Sequence, residues 1–596
     1  MDDADYRSTS NQCSLSSSSS GDLPEQDSAG CTLLTHGPFF PDFKQLSIRD
    51  TFGGSTVFLT GVTGFVGSVV LEQLLRICPD VKRVYVIIRV QRGRSGDERL
   101  DALLRKSLFQ GHLIDGHIPD HVRSKVAVVP GDITRADLGV SDADALRLTT
   151  EVDFVIHSAA SISFFEHIHI LLEQNYLATQ RVAHLARRMQ RLRGFVHVST
   201  AYVNSNLPRG SHIEERVYPL RLRDGQVLDH AKLAAQLSSL APGPAEKLAA
   251  NMLRQTRMPN NYTLSKHMCE SLLVELHCSR ALPVAIVRPT IVGAIAHAPL
   301  PGYFGNSSGV TASVLAFASG LARFCCHSRE STFDIIPCDL AASAILVAAC
   351  ALQQSRPDQA SPLIMHSASS CTHPAKYSGF FDRYIFPYWN DDTPEPRLSG
   401  GPYKPLTDPT GFVDENTLVA KAMTLKYDIK YSLMALSLRV AGHAKLADRL
   451  TSSWRVWKLY NTAAMDFHLF FCARNAKELE ALIVPIERED VRLLWTRNDE
   501  WAPYLLTHMR AIRAKYFPGK KPRNKLDGAK CDQGQSQESV RGMWHGRSTA
   551  NTTLAGMTDL AKAFDADEAG KHRIHAECIR AFGTPNANEP TCFADY

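Results

Sequence analysis

The chain passes from a short apolar strand through a glycine loop into a helix over the segment Val57-Phe58-Leu59-Thr60-Gly61-Val62-Thr63-Gly64-Phe65-Val66-Gly67. Its three glycines have the spacing G-x-x-G-x-x-G. Gly61 permits a tight turn, Gly64 lets the backbone approach a pyrophosphate, and Gly67 lets the helix pack closely on the strand. The N-terminus of the helix presents N–H donors and the positive end of its dipole to the phosphates. The segment predicts a dinucleotide site formed by Thr60, Gly61, Thr63, Gly64, Phe65, Val66 and Gly67.

Further short apolar runs alternate with helical stretches downstream of this loop. Runs that are apolar at nearly every position are typical of parallel strands buried on both faces. Their alternation with helices is typical of a sheet that has helices on each side. We therefore predict an α/β fold, a Rossmann-type doubly wound parallel sheet, followed by a mostly helical C-terminal domain. The predicted strands contain Val84–Ile88, Val126–Val129, Phe154–Ile156, Phe195–Val198 and Val284–Val287.

Local composition divides the chain into five parts. Residues 1–50 are rich in Ser, Asp and Gly, and we predict a disordered tail because they bury too little apolar surface to offset ordering. Residues 51–355 contain the predicted strands and should form the Rossmann domain with a substrate subdomain. Pro and Gly cluster in a connecting segment, 356–417, which precedes a helical, aromatic-rich domain at 418–518. The polar residues 519–596 are expected to be only partly ordered.

The overall composition is that of an ordinary globular protein. Of the 596 residues, 44% are hydrophobic and 21% are charged, and the formal net charge is +5. This charge does not indicate a nucleic-acid partner, although it is compatible with an anionic nucleotide or coenzyme A. The 14 cysteines contain no C-x-x-C pair. They therefore predict buried thiols in a reducing intracellular compartment, and we predict no metal site.

Hydropathy indicates whether the chain has a secretory signal or a membrane-spanning segment. The acidic, polar N-terminus does not indicate a secretory signal. The longest apolar stretch, Ala341–Leu352, has the length of a buried helix rather than of a membrane span. Any membrane association is therefore predicted to be peripheral. The basic amphipathic stretch Leu433–Lys458 fits either a membrane-surface helix or a helix pair packed into a core.

The residue that ends the second predicted strand indicates the type of dinucleotide. An acidic residue there would bind the ribose 2′-OH of NAD(H), whereas the guanidinium of Arg89 suits the 2′-phosphate of NADP(H). The sequence thus favours NADPH, the alternative being that Arg89 and its neighbours Arg92 and Arg94 are solvated loop charges. Small and polar residues follow the third and fourth strands, at the edge where such sheets bind ligands, although close packing alone would also explain them. The predicted contacts are Asp132, Ile133, Ser158, Ala159 and Ala160.

A tyrosine and a lysine form the predicted catalytic pair. Tyr262 and Lys266 are four residues apart, on one face of a helix. Hydride delivery to a carbonyl needs a proton donor, and an ammonium beside Tyr262 would lower the pKa of its phenol toward neutrality. Lys266 could also hold the nicotinamide ribose. A hydroxyl at the end of the preceding strand should hydrogen-bond the substrate carbonyl, with Thr200 as the first choice and Ser199 as the second.

In these passages the chain resembles the eukaryotic alcohol-forming fatty acyl-CoA reductases, which are extended short-chain reductases related to the plant male-sterility proteins. The resemblance is good over residues 55–350 and weaker over 418–517. Phe165 stands where the family commonly has an acidic residue, and Tyr303 where it commonly has Trp. The membrane-spanning tail of many members is not evident. The similar passages are Val57–Gly67, Val155–Ala160, Phe195–Tyr202, Pro259–Lys266, Ile286–Val292, Pro299–Tyr303 and Asp334–Asp339.

The resemblance implies a two-step reduction of a long-chain acyl-CoA. Hydride from NADPH would convert the thioester to a hemithioacetal, which releases coenzyme A and an aldehyde, and a second NADPH would reduce the aldehyde to the alcohol. Tyr262 would be the acid in both steps, assisted by Thr200 and Lys266. The resemblance also implies a position facing the cytosol at the endoplasmic reticulum or the peroxisome.

Three other interpretations are open. A sugar-nucleotide epimerase or dehydratase shares the glycine loop and the Tyr–Lys pair, but does not account for the helical region beyond residue 418. A reductase module of a carboxylic-acid or amino-acid reductase would need adenylation and carrier domains, for which the residues before Val57 are too few. A protein that binds NADP(H) without turnover would typically have lost the Tyr or the Lys.

Overall fold

In a computed structural model, the structure describes residues 43–115, 117–164, 166–305, 309–318, 329–355, 361–385, 388–389, 418–462, 468–495 and 501–516. Residues 1–42 of the predicted N-terminal tail, the predicted tail 519–596 and Phe165 lie outside the described residues. So does most of the predicted connecting segment 356–417.

The described strands form one large sheet and two small parallel pairs. In chain order they are β1 Thr56–Thr60, β2 Arg83–Ile88, β3 Val126–Pro130, β4 Phe154–His157, β5 Gly194–Val198, β6 His212–Ile213, β7 Val284–Pro289, β8 Ile291–Gly293, β9 Ile335–Pro337, β10 Leu363–Ser367 and β11 Phe470–Phe471.

The described α-helices are α1 Ile48–Phe52, α2 Phe65–Ile77, α3 Gly96–Leu104, α4 Asp120–Arg123, α5 Asp142–Glu151, α6 Ile168–Leu171, α7 Ala178–Ala186, α8 His230–Ser239, α9 Pro242–Thr256, α10 Asn261–Cys278, α11 Gly309–Ala318, α12 Cys338–Leu352, α13 Tyr377–Phe380, α14 Leu418–Val440, α15 Ala444–Thr462, α16 Arg474–Leu482 and α17 Trp501–Tyr516. Within these residues, no helix combines the length and the hydropathy that a bilayer span requires.

The large sheet has seven strands in the order β10-β7-β5-β4-β1-β2-β3, and every pair in it is parallel. The chain leaves β1 toward β2 on one side and returns to β4 on the other, so the topological switch point lies between β1 and β4. The strands β1, β4, β5 and β7 are buried throughout because helices cover both faces. The predicted doubly wound Rossmann-type sheet is confirmed.

The edge strand β10 lies in the predicted connecting segment, so the sheet extends beyond the predicted boundary at residue 355. It pairs with β7 from Leu363↔Ala285 to Ser367↔Pro289. Only the three residues Leu363, Ile364 and Met365 are apolar here, and such a short run between polar residues gives a weak strand signal. The strand is recognisable only from its partner.

The C-terminal part of the chain has two structural roles. The helices α14, α15 and α17 pack with α11, β9 and α13 in a second hydrophobic cluster that contains Trp454, Trp457 and Trp501. We call α11, α14, α15 and α17 the helical layer. In contrast, α16 adds Ala476 and Leu479 to the core that covers the large sheet.

Residues 43–50, predicted to be part of a disordered tail, are ordered and packed onto this C-terminal segment. Leu46 donates its N–H to the Leu482 carbonyl (2.8 Å) and accepts from the N–H of Val484 (2.9 Å). The buried carboxylate of Glu487 caps α1, because it accepts from the N–H of Ile48 (2.8 Å) and from the Ser47 hydroxyl (2.8 Å). The order of this segment depends on partners more than 400 residues away, which local composition does not reveal.

Candidate active site

The glycine loop connects β1 to α2 with the geometry that a pyrophosphate requires. Gly61 has a positive φ of 78°, and a Cβ there would lie 2.7 Å from the backbone nitrogen of Ala159. A Cβ on Gly67 would collide with the carbonyl oxygen of Gly61. Gly64 is the N-cap of α2 and offers no side-chain cap, so the first N–H groups of α2 have no side-chain acceptor from the N-cap residue. A phosphate anion fits this position.

A cleft of about 360 Å³ opens at the carboxyl edge of the sheet, over the switch point. It brings together the glycine loop, the ends of β2 to β5 and the helix α10. The predicted residues in its wall are Gly61, Thr63, Gly64, Phe65, Val66, Gly67, Arg89, Asp132, Ile133, Ser158, Ala159, Ala160, Ser199, Thr200, Tyr262 and Lys266.

Thr60, predicted as a cofactor contact, lies behind this wall and is fully buried. Its hydroxyl accepts from the N–H of Ala159 (3.2 Å). It donates to Nδ1 of His157 (2.8 Å), because the single proton of the Thr179 hydroxyl goes to the thiol of Cys269 (3.6 Å), which leaves the proton of the neutral ring on Nε2. The opposite ring nitrogen of His157, Nε2, then carries the proton toward the Thr179 hydroxyl (3.1 Å). Burial lowers the pKa of His157 to about 3, with the charge of Lys266 as a second cause, so the ring is neutral. Thr60 thus joins the loops that follow β1 and β4.

The end of the cleft beside β2 and β3 carries two arginines. Arg89 is about half exposed, and the nearest carboxylate oxygen, from Asp132, is 3.9 Å from its guanidinium. Arg99 of α3, which the sequence did not single out, lines the same end and donates to the Arg89 carbonyl (2.6 Å). Burial, and then the charge of Arg89, lower the pKa of Arg99. Two like charges side by side favour an anion between them.

Asp132 is held in a tight turn at the same end. Its carboxylate accepts from the backbone N–H of Thr134 (3.0 Å) and from its hydroxyl (2.8 Å). Its own N–H donates to the Leu138 carbonyl (2.7 Å). The side chain is therefore fixed in the cleft wall beside Ile133.

The three predicted catalytic groups converge in the middle of the cleft. The Tyr262 phenol and the Thr200 hydroxyl are hydrogen-bonded to each other. The ammonium of Lys266, one helical turn further along α10, donates to the carbonyl oxygen of Val198 at the end of β5 (2.8 Å). Burial raises the pKa of Tyr262 above its ordinary value, and the hydrogen bond with Thr200 acts in the opposite direction. Burial also lowers the pKa of Lys266.

Ser199, the second choice for the substrate hydroxyl, faces a buried ion pair beside the cleft. Its hydroxyl lies near the carboxylate of Glu270 and helps to lower the pKa of that group. Glu270 forms a two-point ion pair with Arg288 (2.6 and 3.0 Å), and both side chains are at least 95% buried. The geometry therefore favours Thr200, which contacts Tyr262 directly.

Asn175 connects this centre to the loop after β4. It lies in a short π-helical segment, Leu172–Leu177, and is buried. Its amide accepts from the N–H of Ser161 (2.8 Å) and donates to the Ser161 carbonyl (3.1 Å) and the Ser265 hydroxyl (3.0 Å). Ser265 precedes Lys266, so Asn175 fixes α10 against that loop. The π-bulge, which is frequent at functional sites, could not be predicted from the sequence.

The opposite end of the cleft is mostly apolar, and no site role was predicted for its residues. The Phe164 ring stands edge-on to Tyr262 with centroids 5.4 Å apart. Ile291 and Val292 also contact the helical layer through the second hydrophobic cluster. The lining residues here are Ile162, Phe164, Gln174, Tyr202, Pro289, Thr290, Ile291, Val292 and Gly309.

Two buried aspartates from the segment Asp334–Asp339 fix the loops around this apolar end. Asp334 accepts from the hydroxyl of Thr290 (2.8 Å) and from the N–H groups of Ser369 (2.8 Å) and Ser370 (2.9 Å). Asp339 accepts from the backbone N–H groups of residues 296 (2.9 Å) and 297 (2.8 Å). Both are therefore scaffold residues of the cleft.

The parallel sheet, the glycine cradle and the Tyr–Lys pair define the chain as an oxidoreductase that uses a nicotinamide cofactor. A family model described as the male sterility protein, an NAD-binding domain, matches residues 59–345. Fatty acyl-CoA reductase 1 of Rattus norvegicus is 30% identical over 466 residues, which are 77% of this chain and 84% of that protein. The chain belongs to the fatty acyl-CoA reductase family.

Other relatives match a smaller region. Fatty acyl-CoA reductase 1 of Xenopus laevis is 34% identical over 312 residues, 52% of this chain and 58% of that protein. Human fatty acyl-CoA reductase 2 is 29% identical over 331 residues, 56% of this chain and 61% of that protein. The chain thus spans about three fifths of the length of these two relatives in the aligned region.

Solved structures agree on the fold. The reductase domain of a non-ribosomal peptide synthetase from Mycobacterium tuberculosis superposes with a TM-score of 0.51 at 18% identity, over 78% of this chain and 95% of that chain. A second structure with this description gives 0.50 at 19% identity, over 78% and 94%.

Proposed function

We propose that this protein reduces long-chain fatty acyl-CoA to the fatty alcohol through the aldehyde, with two NADPH, and releases coenzyme A. One observation carries the proposal: Tyr262, Thr200 and Lys266 converge in the cleft that begins at the glycine loop. Membership of the fatty acyl-CoA reductase family supports the substrate class.

When bound, the dinucleotide supplies the hydride, and the residues of the chain do the rest. The glycine loop and the N-terminus of α2 hold the pyrophosphate, and Lys266 holds the nicotinamide ribose. Tyr262 donates its proton to the oxygen of the reacting carbonyl, while the Thr200 hydroxyl orients that oxygen. No cysteine nucleophile is needed, because the attacking species is a hydride.

The protonation state of Tyr262 suits an acid. Burial raises the pKa of the phenol, so it carries its proton at neutral pH but is a weaker acid than an exposed tyrosine. The lowering of this pKa by Lys266 that the sequence predicted is not found, because burial outweighs the contact with Thr200, which alone among the causes lowers it. In the proposed step, the ammonium of Lys266 would stabilise the phenolate that forms when the proton leaves Tyr262.

NADPH is the proposed cofactor rather than NADH. Arg89 and Arg99 line the end of the cleft beside β2 and β3, where the adenosine would lie. The nearest carboxylate to Arg89 is 3.9 Å away. A 2′-phosphate would satisfy both guanidinium groups. The Arg89→Ala, Arg99→Ala double variant should lose at least about tenfold in kcat/KM with NADPH and change little with NADH. Equal losses with both dinucleotides would refute the role given to these arginines.

The acyl chain is proposed to lie along the apolar end of the cleft, from Phe164 past Val292 toward α11. Each methylene removed from water stabilises the complex by about 0.8 kcal/mol. The apolar residues of the helical layer pack behind Ile291 and Val292 and border this end of the cleft. Binding energy should therefore increase with chain length until the apolar end is filled.

The experiment supplies palmitoyl-CoA and NADPH to the purified full-length protein and analyses the products by gas chromatography. Hexadecanol, with consumption of NADPH, is the expected result. NADPH oxidation by sugar nucleotides instead would identify another extended reductase or epimerase. Tight NADPH binding without oxidation by either class would identify a non-catalytic binding protein. Both outcomes would reject the proposal, and a series of acyl-CoAs gives the chain-length preference.

The proposed location is the cytosol-facing surface of the endoplasmic reticulum or the peroxisome, with peripheral membrane association. A lipid product and the free state of all seven described cysteines support a reducing compartment near a membrane. Fluorescence microscopy of the tagged protein with markers for the two organelles tests this. A secreted or lumenal protein would contradict it.

A further inference from the structure

The helix α14 has a wide aliphatic surface that is exposed to solvent. Twelve large aliphatic side chains are exposed among the described residues, and six of them are on α14. The exposed fractions reach 84% at Leu418 and 82% at Val440. The six are Leu418, Leu425, Ile429, Leu433, Leu436 and Val440. We call them the outer face of α14.

The spacing of these residues makes one continuous stripe. Successive members are three, four or seven residues apart, so they fall within an arc of about 80° on a helix with 3.6 residues per turn. The helix has 23 residues, which corresponds to a stripe of about 34 Å. Exposed aliphatic residues normally occur singly, and a contiguous stripe indicates a binding surface.

Basic residues border the stripe on both sides. Lys421 lies along one edge, and Lys426 and Lys430 lie along the other. The single acidic residue of α14, Asp428, accepts hydrogen bonds from the indole of Trp454 (2.7 Å) and the ammonium of Lys458 (2.9 Å). Its charge is thereby compensated within the hairpin that α14 forms with α15.

The whole hairpin has the same charge balance. The helices α14 and α15 together contain eight basic and two acidic residues. The second acidic residue, Asp448, is paired with Arg439 (2.8 Å). The surface is therefore cationic around an apolar centre, which complements an anionic lipid surface. A protein partner with the usual mixture of charges would not need this excess of basic over acidic residues.

The inner face of the hairpin connects this surface to the cleft. Trp454 of α15 stacks beside Tyr431 of α14 (4.8 Å between centroids), and Trp457 stands edge-on to Phe317 of α11 (5.1 Å). The first residue of α11, Gly309, lines the apolar end of the cleft. The outer face is thus the far side of the layer that borders the proposed acyl site.

We propose that the outer face of α14 lies flat on an anionic lipid membrane, with its aliphatic stripe among the acyl chains and its lysines at the headgroups. The inference extends the proposed function, because a membrane supplies the partition phase for a long-chain substrate and product. Both helix-pair packing and membrane-surface contact, which the sequence left as alternatives, then apply to different faces of the same helix.

Sedimentation with vesicles tests the proposal without any measurement of turnover. The full-length protein should bind vesicles of phosphatidylcholine with 30% phosphatidylserine at least tenfold more tightly than phosphatidylcholine alone. The difference should shrink as salt increases, because the lysines act through a screened field. Equal binding to both vesicles, or to neither, would overturn the proposal.

A triple variant tests whether vesicle binding depends on the outer face of α14 or on nonspecific adhesion of exposed apolar side chains. Ile429→Gln, Leu433→Gln and Leu436→Gln together should reduce vesicle binding at least tenfold and leave the circular dichroism spectrum unchanged. The control is Leu146→Gln with Ile486→Gln, two side chains elsewhere that are more exposed (64% and 73%) than the three of the triple variant, and this variant should bind vesicles as the wild type does. Unchanged binding by the triple variant would overturn the proposal.

Two further measurements identify the competing explanations. If the outer face joins two copies of the chain, light scattering will show a dimer that the triple variant converts to a monomer, and this would overturn the membrane assignment. Turnover of octanoyl-CoA without vesicles reports on the proposed reductase activity alone. Failure of that activity with intact vesicle binding would reject the function and leave the surface assignment standing.

Discussion

The catalytic cleft and the helical layer are held by different forces. In the cleft, directional polar bonds fix each group, such as the Lys266 bond to the Val198 carbonyl (2.8 Å). In the helical layer, apolar packing of rings dominates, as where Trp501 of α17 packs against the neighbouring Trp495 with centroids 4.9 Å apart. Directed bonds define positions within tenths of an ångström, whereas apolar packing tolerates adjustment. Substitutions in the cleft should therefore abolish turnover, whereas substitutions in the helical layer should alter substrate specificity only by degrees.

The largest effect is expected from Tyr262→Phe. Loss of the proton donor should reduce turnover of palmitoyl-CoA roughly 10²–10⁴-fold, because the developing oxyanion is no longer protonated in place. NADPH binding, measured by fluorescence titration, should be preserved. Tyr85→Phe is the matched control, since the Tyr85 hydroxyl is bonded to Glu151 (2.7 Å) and does not line the cleft. Full turnover by Tyr262→Phe would show that a substitution in the cleft need not abolish chemistry. The distinction drawn between the cleft and the helical layer would then be wrong.

The next effect concerns the stability of the cleft. Arg288→Met leaves the buried Glu270 carboxylate without its partner, and urea unfolding should show a loss of about 3–5 kcal/mol. Adding Glu270→Gln should recover part of the loss, because no unpaired charge then remains. The exposed pair in the helical layer is the comparison: Arg439→Met should lose less than about 1 kcal/mol. Equal losses at the two sites would contradict the account.

The pH dependence of unfolding should reveal the buried imidazoles beneath the cleft. Burial lowers the pKa of His157 and His366 to about 3, while the unfolded value is 6.5. These rings are neutral when folded and take up protons on unfolding. Their contribution is therefore complete above pH 6.5 and decreases as the pH falls from 6.5 toward 3. Each should contribute a slope of about 1.4 kcal/mol per pH unit near pH 5.

Two variants separate this electrostatic effect from the role of His157 in the cofactor site. Burial lowers the pKa of His197 as well, but neither of its ring nitrogens has a hydrogen-bond partner in the described part of the chain. Both His157→Leu and His197→Leu should flatten the pH profile. Only His157→Leu should also weaken NADPH binding, by about fivefold, because it releases the hydroxyl of Thr60. An unchanged NADPH affinity in His157→Leu would refute the link between the two loops.

An effect that is confined to long-chain substrates is expected at the border of the two regions. Val292→Phe adds a ring where the cleft meets the helical layer and should lower kcat/KM for palmitoyl-CoA about tenfold through overpacking. With octanoyl-CoA the change should be within about twofold, because a short chain does not reach this wall. The control is Val227→Phe, at a position 41% exposed on the surface. Equal losses for both substrates would place the acyl chain elsewhere.

Local patterns were sufficient for the large sheet and its glycine loop. Strands buried on both faces have a distinctive apolar run, and the loop residues are constrained by their own backbone geometry, as the positive φ of Gly61 shows. The edge strand β10 and the residues around Leu46 were not predictable in this way. Each depends on a partner that is distant in the chain, such as Glu487 for the cap of α1.

Site residues could be predicted where their chemical type indicates their role. They could not be predicted where only tertiary packing brings them to the site. Tyr262, Lys266 and Thr200 follow from their spacing and from their positions at a strand end. Arg99 was missed because it lies one helix beyond Arg89, and nothing in the sequence brings the two together. Thr60 was assigned to the cofactor, yet the hydroxyl bonds to His157, which stands 97 residues away in the chain.

The proposed reaction requires that one cleft deliver hydride to an acyl carbonyl beside Tyr262. The most direct measurement supplies palmitoyl-CoA with NADPH deuterated at both C4 positions and analyses the alcohol by mass spectrometry. Hexadecanol with two deuterium atoms at C1 is expected from the wild-type protein. Unlabelled alcohol, or NADPH oxidation without an acyl product, would contradict it.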